Sequence, residues 1–211
     1  EYMQFNSNQF NLPVVTKNII GINILMFVIT MVLNEQAYEY FALFNYKSQY
    51  FRGWQIITHM FMHGGFTHIL FNMFGVYMFG SRLEQMWGAK RYLNFYIITG
   101  LGAALIHTLI QDYEITQGLV NLNQPTVGAS GALFGILVAF AMYWPNTELY
   151  IMFIPVPIKA KYLVGAYAAY ELFAGVSGFQ SGVAHFAHLG GALFGFLLVK
   201  YWNKTNRKTL Y

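Results

Sequence analysis

The stretch Gly128-Ala129-Ser130-Gly131-Ala132-Leu133-Phe134-Gly135 sets a serine directly in front of the pentapeptide GALFG, and the same pentapeptide returns at 191–195. The second copy follows His188, in His185-Phe186-Ala187-His188-Leu189-Gly190-Gly191. Both copies open apolar segments, and in each the glycines are four residues apart: Gly131 with Gly135, Gly191 with Gly195. Glycines at that spacing share a helix face and let two membrane helices approach closely, because only hydrogen projects from them. The pattern predicts two packed apolar helices that bring a hydroxyl and an imidazole within reach of each other.

The rest of the chain suits such helices. Of its 211 residues 56% are hydrophobic and only 9% charged, where a soluble domain carries roughly 25% charged residues. The composition predicts an all-α polytopic membrane protein. There is no cysteine, which excludes disulfides and thiolate chemistry. The net charge of +4 invites a nucleic-acid reading. The basic residues cluster at helix ends, however, as cytoplasmic loops would have them, so the expected surroundings are membrane lipid and no nucleic acid.

Six segments are apolar enough to cross a bilayer: about 17–33, 65–81, 91–110, 130–144, 158–176 and 185–200. With alternate loops on opposite sides, ten lysines and arginines fall on one face (Lys17, Arg82, Lys90, Arg91, Lys159, Lys161, Lys200, Lys204, Arg207, Lys208) and only Lys47 and Arg52 on the other. Positive charge stays inside, so both termini are expected in the cytoplasm, with 112–127 and 177–184 external. The domain expectation is a polar N-terminal segment over 1–16, a six-helix membrane domain over 17–200 and a basic cytoplasmic tail over 201–211. The first apolar run lacks a small-x-small cleavage site (Leu33-Asn34-Glu35 follows) and is taken as an uncleaved span. The long connection 34–58 is rich in Tyr, Phe and Trp. It predicts short helices lying in the outer interface rather than a structureless loop.

Depth brings the polar residues together. Ser130 precedes the inner boundary at Trp144-Pro145 by fourteen residues, about 21 Å of helix. His188 precedes Lys200 by twelve, about 18 Å. His68 precedes Arg82 by fourteen, with Asn72 one turn deeper. All four then lie roughly a third of the way into a hydrocarbon core about 30 Å thick. Polar groups at that depth face a bundle interior or a wet cavity. His68, Asn72, Gly75 and Phe79 form one helical stripe, and His188, Gly191 and Gly195 another.

A serine hydroxyl needs a base within hydrogen-bond reach to act as nucleophile. His188 can be that base and later the acid for the leaving amine. Ser130 at a helix start sets free backbone N–H groups beside a developing oxyanion, and His68 and Asn72 can donate to the same oxygen. No acidic residue is expected beside His188: Asp112 and Glu114 fall in an external loop, and the facing of Glu171 within the fifth span is open. A Ser–His dyad is the economical reading, with Phe134 one turn below Ser130 able to hold the imidazole by stacking.

These motifs resemble the rhomboid family of intramembrane serine proteases. Gly128-Ala-Ser130-Gly131 is similar to the family's G-x-S-G, His188-Leu-Gly-Gly191 to its H-x-x-G, and His59-Met-Phe-Met-His63 followed by His68-Ile-Leu-Phe-Asn72 to its second-helix motif. The resemblance covers about 17–200. It implies a six-transmembrane-helix bundle, Ser130 as nucleophile, His188 as base, His68 and Asn72 as oxyanion ligands, and transmembrane proteins as substrates. It implies neither metal nor cofactor, a monomer sufficient for activity, an active site opening to the exterior and a minimal form like those of a bacterial inner membrane. Two departures bear on substrate handling: Trp54-Gln55 where members often have Trp-Arg, and Phe134 where some have Tyr.

Two rivals stand beside this reading. A metal or haem protein would use the six histidines. His59 and His63 are a turn apart, although no His-Glu-x-x-His motif is present and capping the second span is the plainer role. A catalytically dead relative would only bind membrane helices, yet such relatives generally lose the serine or the histidine. His185 has a weaker claim than His188 to be the base, and His107 reads as a core histidine. Glu84 reads as a polar group at the inner boundary, and the fifth span, rich in small residues around Gly165 to Ala169, as a candidate lateral gate.

Overall fold

A computed structural model describes residues 12–150, 156–178 and 184–206. The parts of the expected N-terminal segment, of the 177–184 connection and of the basic tail that fall at 1–11, 179–183 and 207–211 lie outside the described residues.

The described chain is dominated by helices: α1 (Val14–Leu33), α2 (Glu35–Phe41), α3 (Gln55–Thr58), α4 (Phe66–Gly75), α5 (Ser81–Trp87), α6 (Ala89–Thr116), α7 (Ser130–Tyr143), α8 (Ala160–Ser177) and α9 (His185–Asn206). Among them α1 and α6 are long and apolar enough to cross a membrane by length and composition alone. α4 and α5 join through a π-helical turn, Val76–Gly80, into one continuous rod over 66–87. α7 is short, its fourteen residues rising only about 21 Å.

Two helix boundaries and one pair of strands differ from the sequence expectation. α6 runs on through Thr116, so Asp112 and Glu114 belong to its last turns and not to a loop. Between Gly102 and Gly118 no proline or glycine interrupts the run, and Asp112 is held there by Tyr46, Lys47 and Asn45 at 2.8, 2.8 and 3.2 Å. α9 continues beyond Lys200 to Asn206. The chain is also not purely helical: β1 (Glu148–Tyr150) pairs antiparallel with β2 (Pro157–Lys159), Leu149 opposite Ile158. Three-residue strands are too short for periodicity to announce them.

The 34–64 connection is held by side chains bonding to backbone. Trp54 Nε1 donates to Tyr40 O at 2.8 Å, Gln55 Nε2 to Glu39 O at 2.9 Å, and Thr58 Oγ1 to Phe41 O at 2.8 Å. Glu84 does more than sit at a boundary. Its two carboxylate oxygens accept Val15 N at 2.9 Å and Thr16 N at 2.7 Å. Those amides begin α1 and have no partner within the helix, and the negative charge also suits the helix's positive end.

α7 is the most enclosed helix, packed against α6 and α9. A Cβ on Gly191 would collide with the backbone carbonyl of Gly131, and one on Gly195 would stand 2.7 Å from Gly135 Cα. α6 closes the third side: a Cβ on Gly131 would lie 2.5 Å from Ala103 Cβ, and one on Gly135 2.7 Å from Thr99 Cβ. Between α7 and α9 main chain meets main chain. Gly191→Ala is expected to destabilise the protein by about 1–3 kcal/mol, the usual range for overpacking. Gly165→Ala, where a Cβ meets nothing within 4 Å among the described residues, should leave the melting temperature unchanged or raise it slightly, since alanine is the better helix former. Thermal unfolding in detergent checks the pair, and equal melting temperatures would contradict the packing described.

Candidate active site

The local chain path explains how Ser130 comes to stand at a helix start inside the bundle. After α6 the chain is tied to the 34–64 connection: Leu43 N donates to Thr126 O at 2.9 Å and Thr126 N to Leu43 O at 2.8 Å. The Thr126 hydroxyl lies 2.6 Å from His107 Nε2, and Gly128 N donates to His59 O at 2.9 Å. His107 therefore anchors the descending strand to α6. Gly128 then turns at φ +141°, a conformation that side chains rarely adopt, and α7 starts at Ser130.

Ser130 and His188 meet. His188 Nε2 lies 2.8 Å from Ser130 Oγ, across the α7–α9 contact. The His188 ring stacks on Phe134 with centroids 4.5 Å apart and planes within 8°, and Tyr167 of α8 packs tilted against Phe134 with centroids 4.7 Å apart. Both residues line a cavity of about 1110 Å³ that also takes in His68, Asn72, Gly75 and Phe79.

The second helix rod supplies donors. Gly64 N donates to His68 Nδ1 at 3.4 Å, so the ring's proton sits on Nε2. That atom would be 3.1 Å from a Cβ built on Gly128, and Ser130 Oγ 3.2 Å from the same point. Gly128, His68 and Ser130 thus surround one small volume. Asn72, one turn further along α4, is 4% exposed, and its Nδ2 has no hydrogen-bond partner among the described residues. A buried donor without an acceptor is costly and is suited to an oxygen that arrives with a substrate.

The remaining histidines divide. His59 Nδ1 donates to Gln55 O at 2.8 Å, and burial pushes its pKa down to about 4. His63 packs edge-on against His68 with centroids 4.9 Å apart. Burial and the neighbouring His68 push its pKa down to about 3. Both stay neutral near pH 7. His185 faces α8, where its Nδ1 lies 2.7 Å from Glu171 Oε2.

One expectation is overturned: an acidic residue does stand beside His188. Glu171 Oε2 lies 2.9 Å from His188 Nδ1. The fifth helix is apolar and rich in small residues on every side, so its pattern did not say which way Glu171 faces. The general cost of burying a carboxylate in a membrane was the signal that required a partner for it. Glu171, His185 and His188 each bring one ligand atom within 4.8 Å of the others, a spacing that could take a cation. Their contacts with one another already account for it.

A hydroxyl, an imidazole and a helix N-terminus around one enclosed point make up the equipment of acyl transfer by a serine hydrolase, here inside an apolar helical bundle. The comparisons with known proteins show the family. The family model "Rhomboid domain" matches residues 50–204. Rhomboid protease AarA of Providencia stuartii is 33% identical over 160 residues, covering 69% of this chain and 54% of that protein. RHOMBOID-like protein 5 of Arabidopsis thaliana is 37% identical over 145 residues, covering 69% and 42%. The mitochondrial Rhomboid protein 1 of Saccharomyces cerevisiae is 31% identical over 153 residues, covering 72% and 43%. The chain belongs to the rhomboid family, a family of membrane-embedded proteins. It spans about half the length of the curated relatives it matches.

The volume shared by Gly128, His68 and Ser130 yields a prediction. Gly128→Ala fills it with a methyl group and strains the turn. Activity against any substrate should fall by at least about tenfold, as when an oxyanion donor is lost or blocked. Rates measured on the purified variant check this, and an unchanged rate would mean that the volume is not used.

Proposed function

We propose that the chain is an intramembrane serine endopeptidase that cuts transmembrane proteins near the outer end of their spans. The carrying observation is the 2.8 Å contact between His188 Nε2 and Ser130 Oγ at the start of α7. In this reading the domain over 17–200 crosses the membrane six times: α1, the 66–87 rod, α6, α7, α8 and α9. Both termini are cytoplasmic and the cavity opens to the exterior. Relatives named mitochondrial and chloroplastic match beside the bacterial one, so the family likeness supports a membrane without selecting which.

The mechanism follows from the atoms. Ser130 Oγ attacks the scissile carbonyl carbon while its proton passes to His188 Nε2, giving a tetrahedral intermediate and an imidazolium. The oxyanion lies where the Ser130 backbone N–H, His68 Nε2–H and Asn72 Nδ2–H can donate to it. As the intermediate collapses, the C–N bond breaks and the imidazolium protonates the leaving amine. Water then attacks the acyl-enzyme with His188 as base, releasing the acid and restoring Ser130. Every group in the scheme belongs to one chain, so a monomer suffices, and no cofactor or metal enters.

The substrate must expose backbone at a site lined by glycine and aromatic rings. Helices weakened by Gly or Pro near the cut are therefore the favoured substrates, with a small residue at the scissile position. Water enters through the cavity above the short α7. α8 is the proposed lateral gate.

The test is cleavage of a helical membrane substrate by protein reconstituted in lipid vesicles. Ser130→Ala and His188→Ala should each abolish product. Asn72→Ala should slow it by roughly 10–1000-fold. Folded wild-type protein that cuts neither Gly- nor Pro-containing helices would refute the proposal, and so would a Ser130→Ala variant that still cuts.

A further inference from the structure

His188 meets Ser130 through Nε2. A neutral imidazole that accepts a proton at Nε2 must carry its own on Nδ1. His188 Nδ1 is buried and makes no well-aligned hydrogen bond among the described residues. Glu171 Oε2 nevertheless stands 2.9 Å away, at ion-pair distance. Glu171 is 2% exposed, so its carboxylate has exchanged water for the two imidazole edges of His185 and His188.

Stacking on Phe134 leaves something undone. A parallel ring contact fixes the plane of the imidazole but not its rotation within that plane. That rotation decides whether Nε2 points at Ser130. An acceptor at the ring's opposite edge fixes it. A contact of the right length but imperfect alignment is also what a site without substrate commonly shows, since such bonds tighten as charge develops.

We propose that Glu171 is a positioning residue for His188. Its carboxylate holds the Nδ1–H, which keeps Nε2 free of hydrogen and turned toward Ser130. It also balances the imidazolium formed when Ser130 gives up its proton. The site is then a Ser130–His188–Glu171 relay spanning α7, α9 and α8, and the helix that carries the carboxylate is one the substrate must pass if it enters beside α8. The proposal rests on reading Ser130 and His188 as nucleophile and base. It competes with a purely structural role, in which Glu171 only ties α8 to α9 through His185.

The experiment uses the full chain in vesicles and compares Glu171→Gln, Glu171→Asp, Glu171→Ala and His185→Ala. Glu171→Gln and Glu171→Ala should lower kcat by at least about tenfold with KM within about twofold, the signature of an interaction made in the transition state. Glu171→Asp should recover much of the loss. His185→Ala, which removes the His185–Glu171 tie between α8 and α9 and leaves Glu171 facing His188, should stay within about threefold of wild type. With 15N-labelled histidine, NMR should find His188 protonated at Nδ1 in the wild type and as a mixture of tautomers in Glu171→Gln.

A Glu171→Gln variant with wild-type kcat would overturn the assignment, and so would a His185→Ala variant that reproduces the Glu171→Ala loss. Wild-type protein that cuts nothing would defeat the protease reading instead, and the tautomer measurement would still decide whether Glu171 holds His188.

Discussion

Everything at this site depends on how closely α7 and α9 approach. Gly191 lies against the carbonyl of Gly131, and Gly195 against Gly135, with no room for a side chain between them. Association of apolar helices in lipid gains little from hydrophobicity, because the lipid tails are as apolar as the helices. Van der Waals contact must do the work, and glycine allows the most intimate form of it. The distance from Ser130 to His188 is set by that contact, since Ser130 directly precedes Gly131 and His188 stands one helical turn before Gly191.

The rest of the molecule positions partners around the contact. α6 closes the third side through Ala103 and Thr99 and, through His107 and Thr126, holds the chain that leads into α7. The 66–87 rod brings His68 and the unpaired Asn72 donor to the same cavity. Its other end is bound to α1 by Glu84, whose carboxylate accepts the amides of Val15 and Thr16. One buried carboxylate thus joins helices far apart in sequence, at the opposite end of the protein from the chemistry.

Much of this was legible in the sequence because the signals were local. Gly128-Ala-Ser130-Gly131, His188-Leu-Gly-Gly191 and His68 to Asn72 each carry their information in a few residues, and helical periodicity turns it into faces. Phe134 could be matched to His188 on the same ground. What was not legible depended on long-range facing. Glu171 lies 17 residues before His188 in a helix whose small residues surround it, so no periodicity indicates which neighbour it meets. The extension of α6 through Asp112 carries no local signal, because charge at a helix end resembles a loop and its partners Asn45, Tyr46 and Lys47 lie far away in sequence. The β1–β2 ribbon was too short to show alternation.

The central claim is that the α7–α9 contact makes Ser130, and no other serine, a nucleophile activated by His188. Mapping the adduct of a fluorophosphonate probe by tandem mass spectrometry tests it most directly. The label should sit on Ser130 alone and disappear in His188→Ala protein that remains folded. A label on a different serine, or undiminished labelling of Ser130 without His188, would contradict the account.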